Sequence, residues 1–368
     1  GAQRCGPVFR FEIFGKTANA VSGPLALQVA KNSEAMGLDR KSIFEPFVRV
    51  TGVPIFSVEG EEHELLRRLV RFGYTRGTIA PFVGRISDAV RETVAGWPAD
   101  LTLLPHMSDV AIRAMAAAVS PKPLPIDWTE MGKTGELGMM VTVRQRSPFA
   151  LKLPRMKRAE RNSIAAIDPI IREHREGLTK DDPLPWMIDA FIAAEADGQT
   201  LDDAGIRGGV TYALIAAYIY LGRQALFMLI EALRDPRTLA VLNKEVDTAF
   251  EKGALTAETL RRMPTLRALF VEANRRYPLL PGMPYETTRQ TDVGGFTLGA
   301  NELVILTGVP GHFDGQNYGC PWSFDQERVR PPRKEHLAPG AFAPWGFAPR
   351  SCLAIGLCEL VTTTIVAT

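Results

Sequence analysis

The most informative part of the sequence is FAPWGFAPRSCLAIGLCELV, Phe342 to Val361, near the end of the chain. It places Cys352 after a turn rich in Gly and Pro and before an apolar segment with helical spacing. A cysteine that acts as a thiolate needs hydrogen-bond donors and positive charge nearby to lower its pKa. Arg350, the backbone N–H groups of the turn Gly346–Pro349 and the start of the following helix can supply both. The stretch therefore predicts a loop that holds an anionic sulfur, with an inert buried cysteine as the alternative.

The composition is that of a large globular protein. Of the 368 residues, 46% are apolar and 8% are aromatic, which is enough to bury a sizeable core. The 43 Lys and Arg nearly balance the 41 Asp and Glu, so the formal charge of +2 favours no polyanion and we expect no nucleic-acid partner. The cysteines form no CxxC pair and no disulfide framework, which fits a reducing compartment; they are Cys5, Cys320, Cys352 and Cys358.

The start of the chain carries no visible leader or membrane anchor, so we expect a cytoplasmic protein, unless the sequence has been trimmed at its start. The most apolar segment, Gly208–Gly222, has 15 residues and is followed by Arg223. A bilayer span needs about 20 residues. We therefore predict that this segment is a buried central helix.

The periodicity predicts a mostly α protein with small β sheets. Alternating apolar residues near the start suggest a strand pair before a helix at about Pro24 to Asn32. Helical spacing dominates from about Glu61 to Gln290, and after Pro278 the sequence becomes rich in Pro, Gly, Thr and Val, as in short strands and turns. No linker composition separates these regions. We predict a single domain over residues 1–368.

The cysteine stretch resembles the haem-binding loop of the cytochrome P450 superfamily, whose pattern is Phe-Gly-x-Gly-x-Arg-x-Cys-x-Gly. Gly346, Arg350 and Cys352 match it at the right spacing, Trp345 replaces the Phe, and alanine replaces two of the glycines. The resemblance implies a cytochrome P450-like fold around a buried haem b (iron protoporphyrin IX). It also implies that Cys352 is the iron ligand and that Trp345 lies beside the cofactor.

A second family element lies upstream, in MPTLRALFVEANRRYPLLPG. Glu272 and Arg275 form a Glu-x-x-Arg pair, and a spacing of three residues puts both on one helix face. In the family this pair is locked by an arginine of the loop before the haem, and Arg328 in FDQERV stands in the matching place. An ordinary surface ion pair is the alternative.

A third element, GEEHELLRRLVRFGYTRG, resembles the helix that carries a histidine and an arginine toward the haem propionates. Here these residues are His63 and Arg67, four apart and on one face. The resemblance implies that Arg289, in YETTRQTDVGGFTL, completes this clamp as the strand arginine and that Arg350 is a further propionate donor. Arginine suits the role because its fork donates two parallel hydrogen bonds to a carboxylate. A solvated helix face is the alternative for His63 and Arg67.

The central helix departs from the family pattern Ala-Gly-x-Asp-Thr-Thr. Counting back from the RDP that follows it, the pattern falls on AAYIYL, residues 216–221. The resemblance implies that Ala216 and Ala217 lie beside the haem and that Tyr220 takes the place of the catalytic threonine, while the acid is missing. In the family these groups deliver the protons needed to cleave dioxygen. A hydroxyl of Tyr218 or Tyr220 could donate instead, with packing in the core as the alternative.

Three functions follow from the resemblance. The first is a haem-thiolate oxidoreductase, a monooxygenase of secondary metabolism that uses ferredoxin and reductase electron donors and takes its protons from substrate, water or Tyr220. The second is a haem-thiolate isomerase, lyase, cyclase or peroxide-using enzyme, which needs no acid–alcohol pair. The third is a haem-binding module without turnover.

The segments that build the substrate pocket in this fold are variable loops. In this chain we expect them around PFVRVTGVPIF, residues 46–56, and VTVRQRSPF, residues 141–149. Their apolar character predicts a lipophilic small-molecule substrate, unless these residues merely pack. Family members usually continue past the cysteine helix into a β hairpin, so we expect the single P450-like domain to be truncated at its end. If the sequence has been trimmed at its start, the domain is truncated there as well.

Overall fold

The computed structural model describes residues 2–13, 15–52, 54–142, 147–177 and 184–368. Most of these residues are helical, which confirms the mostly α prediction. The helices are α1 (Ala2–Cys5), α2 (Gly23–Lys31), α3 (Lys41–Thr51), α4 (Gly60–Arg71), α5 (Arg76–Ile79), α6 (Val83–Ala95), α7 (Leu103–Ala116), α8 (Trp128–Thr142), α9 (Pro154–Arg175), α10 (Met187–Ile192), α11 (Asp203–Ala216), α12 (Gly222–Arg234), α13 (Pro236–Phe250), α14 (Ala257–Arg261), α15 (Pro264–Arg276), α16 (Val309–His312) and α17 (Ile355–Ala367).

The strands form small sheets, as predicted. They are β1 (Val8–Ile13), β2 (Lys16–Ser22), β3 (Leu38–Asp39), β4 (Glu195–Ala196), β5 (Gln199–Thr200), β6 (Met283–Thr287), β7 (Thr291–Val293), β8 (Phe296–Leu298) and β9 (Leu303–Thr307). The largest sheet has the order β1-β2-β9-β6-β3, in which β2 and β9 are parallel and the other pairs are antiparallel. The predicted strand pair and the helix after it are thus β1, β2 and α2. The sheet joins the two ends of the chain, because β2 pairs with β9 and β3 pairs with β6.

The central helix is longer than the predicted segment. A π-helical turn at Ala217–Leu221 joins α11 to α12 into one helix from Asp203 to Arg234, so the helix continues past Arg223. Asp202 begins it by accepting a hydrogen bond from the backbone N–H of Gly205 at 2.7 Å. Within the described residues this is the one helix long and apolar enough to cross a membrane, and 61% of its most apolar window is buried inside the protein. A buried core helix has the same length and composition.

The main core surrounds this central helix. Helices α6, α7, α15 and α17 pack around α12 and the π turn and bury a continuous apolar cluster. The helical part ends at Arg276, earlier than the predicted Gln290, because β6 already begins at Met283. The hairpins β4–β5 and β7–β8 were not predicted as separate elements.

The Glu-x-x-Arg pair of α15 is fully buried, so the surface-pair alternative is wrong. Two bonds of 2.7 Å join the Arg275 guanidinium to the Glu272 carboxylate, and both side chains are 1% exposed. Arg328 completes the set with its Nε 3.5 Å from Glu272 Oε1, as predicted. Arg275 also donates to the carbonyls of His312 and Pro321, each at 2.7 Å. This network fixes the segment that leads to the cysteine loop against α15.

Candidate functional site

A cavity of about 1650 Å³, counted with the solvent space at its mouth, lies between α4, the central helix and the cysteine loop. Its wall brings together residues from all three regions of the sequence that were assigned to the site. The predicted site residues that line it are His63, Arg67, Ala216, Ala217, Tyr220, Trp345, Arg350 and Cys352.

The cysteine loop holds its sulfur toward the cavity by backbone contacts. Gly346 adopts a φ of 76°, in the left-handed region that favours glycine. The chain then folds back so that the N–H of Cys352 donates to Trp345 O at 2.9 Å. The N–H of Ala354 donates to Cys352 Sγ at 3.4 Å, which makes Ala354, rather than the turn Gly346–Pro349, the observed amide donor to the sulfur. Helix α17 begins one residue later, as predicted.

The surroundings lower the pKa of Cys352. The largest cause is a hydrogen bond from the Cys358 thiol, and the Ala354 N–H and the positive charge of Arg67 add to it, while burial opposes the shift. The same contact and burial raise the pKa of Cys358, so Cys358 keeps its proton and Cys352 is the sulfur that ionises. Arg350 was expected to supply the positive charge, but the nearby guanidinium is that of Arg67.

Cationic side chains from α4 and the cysteine loop form one wall of the cavity. Arg67 Nη2 donates to Ser351 Oγ at 3.4 Å, which ties α4 to the loop. Arg350 donates to Val58 O at 3.0 Å and forms an ion pair with Glu59, the residue before α4. His63 is 4% exposed, and burial, Arg67 and Arg40 lower its pKa to about 4. His63 is therefore a neutral hydrogen-bonding group at physiological pH.

Arg289 does not join this wall. Its side chain is exposed, and its Nη2 donates to the carbonyl of Ala35 at 2.6 Å. The place beside the cavity is taken instead by Arg40, which is 2% exposed and lines the cavity. Its guanidinium lies 4.5 Å from the ring centre of Phe44 and 5.5 Å from that of Tyr285. Its Nε has no hydrogen-bond partner among the described residues.

Sequence reasoning missed Arg40 because no local pattern marks it. It precedes α3 in the short stretch LDRKSIF and directly follows β3. Only the pairing of Leu38 and Asp39 with Thr287 and Glu286 on β6 brings it to the cavity. This is a contact between distant parts of the chain.

The central helix presents one face to the cavity. Tyr212, Ala216, Tyr220 and Gln224 all line it, and the small side chain at Ala216 leaves room beside the cysteine loop. Burial raises the pKa of Tyr220 to about 12, so its hydroxyl stays protonated at neutral pH. Of the two tyrosines with an available hydroxyl, Tyr220 is thus the one at the cavity.

Tyr218 faces the other way. It is 6% exposed, and its ring packs where a side chain at Gly132 of α8 would lie. The packing alternative therefore describes Tyr218, and of these two tyrosines Tyr220 is the one that lines the cavity.

One part of the cavity wall is aromatic and apolar. Phe56 lies 5.7 Å from Phe44, 5.6 Å from Phe47 and 4.9 Å from Tyr212, measured between ring centres. The predicted loop at residues 46–56 thus supplies part of this aromatic wall. Of the other loop, Thr142 lines the cavity, and residues 143–146 lie outside the described residues.

The arrangement fits an iron porphyrin. A single thiolate facing a largely apolar cavity is a suitable soft ligand for haem iron. The unpaired Nε of Arg40, with Arg67 and His63, offers donors for the carboxylates of such a group. The described residues hold no cluster of three or more His, Cys, Asp or Glu that could bind a bare metal ion. Fold and site together define a haem-thiolate protein.

Comparison with known proteins leads to the same class of protein. Residues 146–368 match the family model for cytochrome P450, which is more than half of the chain. The chain belongs to the cytochrome P450 family and is a haem-thiolate oxidoreductase of that type.

Two relatives show how the similarity is distributed. The chain is 24% identical over 347 residues to a cyclooctat-9-en-7-ol 5-monooxygenase of Streptomyces melanosporofaciens, covering 90% of this chain and 74% of that protein. It is 32% identical over 160 residues to a mitochondrial 25-hydroxyvitamin D-1 alpha hydroxylase of Rattus norvegicus, covering 42% of this chain and 31% of that protein. The chain thus spans less than a third of the rat relative's length.

Proposed function

We propose that this chain is a monooxygenase that inserts oxygen into a lipophilic small molecule of secondary metabolism, with haem b as its cofactor. The observation that carries the proposal is one cavity lined both by Cys352 and by the aromatic side chains of Phe44, Phe47, Phe56 and Tyr212. Apolar walls with few polar groups suit a lipophilic ligand. The streptomycete relative, named as a cyclooctat-9-en-7-ol 5-monooxygenase, supports the reaction type.

The chain's residues would hold the cofactor by its iron and its carboxylates. Cys352 would ligate the iron, and the bound haem would supply the electron transfer that oxygen insertion needs. Arg40, Arg67 and Arg350 would face the carboxylates, with His63 as a neutral donor. Because Glu59 neutralises one of the three arginines, this wall carries two net positive charges, which matches the two propionates of haem b.

Tyr220 is the proposed proton donor. It stands at the sequence position that the family pattern gives to its catalytic alcohol, and it lines the cavity. Burial raises its pKa to about 12, so the hydroxyl keeps its proton at neutral pH. Dioxygen cleavage by a monooxygenase consumes two electrons and two protons, so a proton source at the cavity is required, and the Tyr220 hydroxyl can be that source. The electrons would come from a ferredoxin and its reductase.

A second candidate is an isomerase, lyase, cyclase or peroxide-using enzyme that does not activate dioxygen. The observation that favours it is that Ile219 stands at the acidic position of the family pattern and that, among the described residues, no carboxylate lines the cavity. Such an enzyme would form product without a reductant. A haem-binding module without turnover would form none in either condition.

The deciding experiment compares turnover of the haem-loaded protein with and without NADPH, ferredoxin and reductase. We expect product only with reductant, and we expect Tyr220→Phe to lower the product formed per reductant about tenfold or more, since general acids contribute about 10²–10⁴-fold. Tyr218→Phe is the matched control, because it removes the same hydroxyl from a ring that packs away from the cavity. Product formed equally without reductant would support the second candidate instead.

The proposed setting is the cytoplasm. All four cysteines are free thiols, namely Cys5, Cys320, Cys352 and Cys358, which suits a reducing compartment. Cell fractionation with a tagged full-length protein tests this, and recovery in the membrane fraction would contradict it.

A further inference from the structure

A polar corner lies in the cavity wall where three helices meet. Helices α12, α15 and α17 pack against one another, and each places one polar side chain on the cavity: Gln224, Asn274 and Thr362. Gln224 is 3% exposed and Thr362 is 0% exposed. Among the described residues, neither Nε2 nor Oε1 of Gln224 has a hydrogen-bond partner, and Thr362 Oγ1 has none.

The neighbours of Thr362 show that this is not the usual state of a helical threonine. Thr363 donates its hydroxyl to Glu359 O and Thr364 donates to Leu360 O, each at 2.7 Å. The carbonyls of the preceding turn of α17 therefore accept hydrogen bonds from the hydroxyls of Thr363 and Thr364. The hydroxyl of Thr362 has no such partner among the described residues.

Buried polar atoms in proteins are hydrogen-bonded, to protein or to ordered water. An internal water makes about three hydrogen bonds, and it is retained where a site is polar and roomy enough to supply them. Gln224 offers a donor and an acceptor, and Thr362 offers a hydroxyl. Asn274 uses its Nδ2 to donate to Phe270 O at 2.9 Å, which leaves its carbonyl oxygen as an acceptor.

The corner is next to the proposed proton donor. Gln224 follows Tyr220 by four residues, about one turn of the central helix, and both side chains line the cavity. A water held by Gln224 and Thr362 would therefore lie in the same cavity as the Tyr220 side chain, on the wall that Gln224 and Tyr220 share.

We propose that Gln224 and Thr362 bind internal water that returns a proton to Tyr220 after Tyr220 has donated its own. The inference rests on the monooxygenase function proposed above. In each cycle the phenol O–H of Tyr220 breaks as its proton passes to dioxygen, and the O–H re-forms with a proton from the water. The hydroxide left by that water takes up a proton from the solvent, and electrons from the ferredoxin reduce the dioxygen that accepts the proton of Tyr220.

The first test is structural and does not depend on turnover. We expect a high-resolution crystal structure of the haem-loaded protein to show ordered water within hydrogen-bond distance of both side chains, and Gln224→Leu or Thr362→Val to lose it. The matched control is Thr364→Val, which makes the same substitution two residues further along α17 at a hydroxyl that is already bonded inside the helix.

The second test measures use of the water. With NADPH, ferredoxin and reductase, we expect Gln224→Leu and Thr362→Val to form at least fivefold less product per reductant and to show a larger solvent deuterium isotope effect. Haem content, the carbon monoxide spectrum and substrate affinity should remain at wild-type values, which separates proton supply from folding or binding. Thr364→Val should couple like the wild type.

The outcomes are distinguishable. A direct Gln224–Thr362 hydrogen bond with no water in the wild type would overturn the inference, as would lost water with unchanged coupling and isotope effect. A wild type that forms product without reductant would overturn both this inference and the proposed monooxygenase function. Loss of coupling in Tyr220→Phe with none in Gln224→Leu would overturn the inference alone.

Discussion

Replacing Arg40 by methionine tests whether this arginine, and not Arg289, holds a carboxylate of the cofactor. Arg40 is buried at the cavity with an unpaired Nε, whereas Arg289 is exposed and bonded to Ala35 O. A hydrogen bond between charged groups contributes about 1.5–3 kcal/mol. Arg40→Met should therefore weaken haem binding by about 10- to 150-fold, since every 1.4 kcal/mol is about tenfold.

The same substitution should hardly change the stability of the haem-free protein. Without the cofactor, Arg40 is a buried charge whose desolvation is not fully compensated, and replacing such a charge by an apolar side chain is often neutral or stabilising. The loss of its cation–π contact with Phe44, at 4.5 Å, costs about 1 kcal/mol in the other direction. These effects offset each other, so haem affinity and apoprotein stability should change independently.

The assay is the rate of haem transfer from the purified variant to an excess of a haem-scavenging apoprotein, followed by absorbance. Urea unfolding of the haem-free proteins gives the stability. Arg289→Met is the matched control and should lose haem at the wild-type rate. The assignment of Arg40 is refuted if Arg289→Met loses haem quickly and Arg40→Met keeps it, or if both retain it.

Three further predictions concern the ligand, the buried network and the cationic wall. Cys352→Ser should abolish the red-shifted carbon monoxide band of the reduced protein and Cys358→Ser should keep it; the reverse result would move the iron ligand to Cys358. Glu272→Gln should destabilise the fold by about 3–5 kcal/mol in urea unfolding, because it leaves buried guanidinium charge uncompensated. The pKa of His63 is lowered to about 4 from 6.5, so the haem-free protein should lose up to about 3 kcal/mol between pH 6.5 and 4, where the unfolded chain binds the extra proton. His63→Gln should show a smaller loss over that range, and an equal loss would assign it to other groups.

The fold could be predicted from the sequence because its evidence is local. The strand pair before α2, the long apolar central segment and the helix after Cys352 each carry their own periodicity, and the structure has all three. The Glu272, Arg275 and Arg328 network was also accessible, since a family pattern fixes the spacing of its members even though Arg328 is far along the chain.

The cationic wall could be predicted only in part. His63 and Arg67 stand on one helix at a spacing of four, so a helical pattern brings them together. Arg40 reaches the cavity through the pairing of β3 with β6, and Arg350 turns partly to Glu59. Neither contact leaves a trace in the local sequence, because a two-residue strand has no periodicity and an ion pair between distant residues has no spacing rule.

The central helix shows most clearly why counting residues along a sequence does not predict every side chain that lines the cavity. An α-helix turns by about 100° per residue, so the twelve steps from Tyr212 to Gln224 would leave these two side chains about 120° apart in a regular helix. The π turn at Ala217–Leu221 accommodates one extra residue, which reduces the difference to about 20°. Tyr212, Ala216, Tyr220 and Gln224 therefore share one wall of the cavity. Counting from the family pattern could place Tyr220, which lies inside the turn, but it could not place Gln224, because whether the turn forms depends on the packing of the whole helix. The residue that we infer to hold water beside Tyr220 is thus brought to the site by an irregularity of the backbone and not by the sequence pattern.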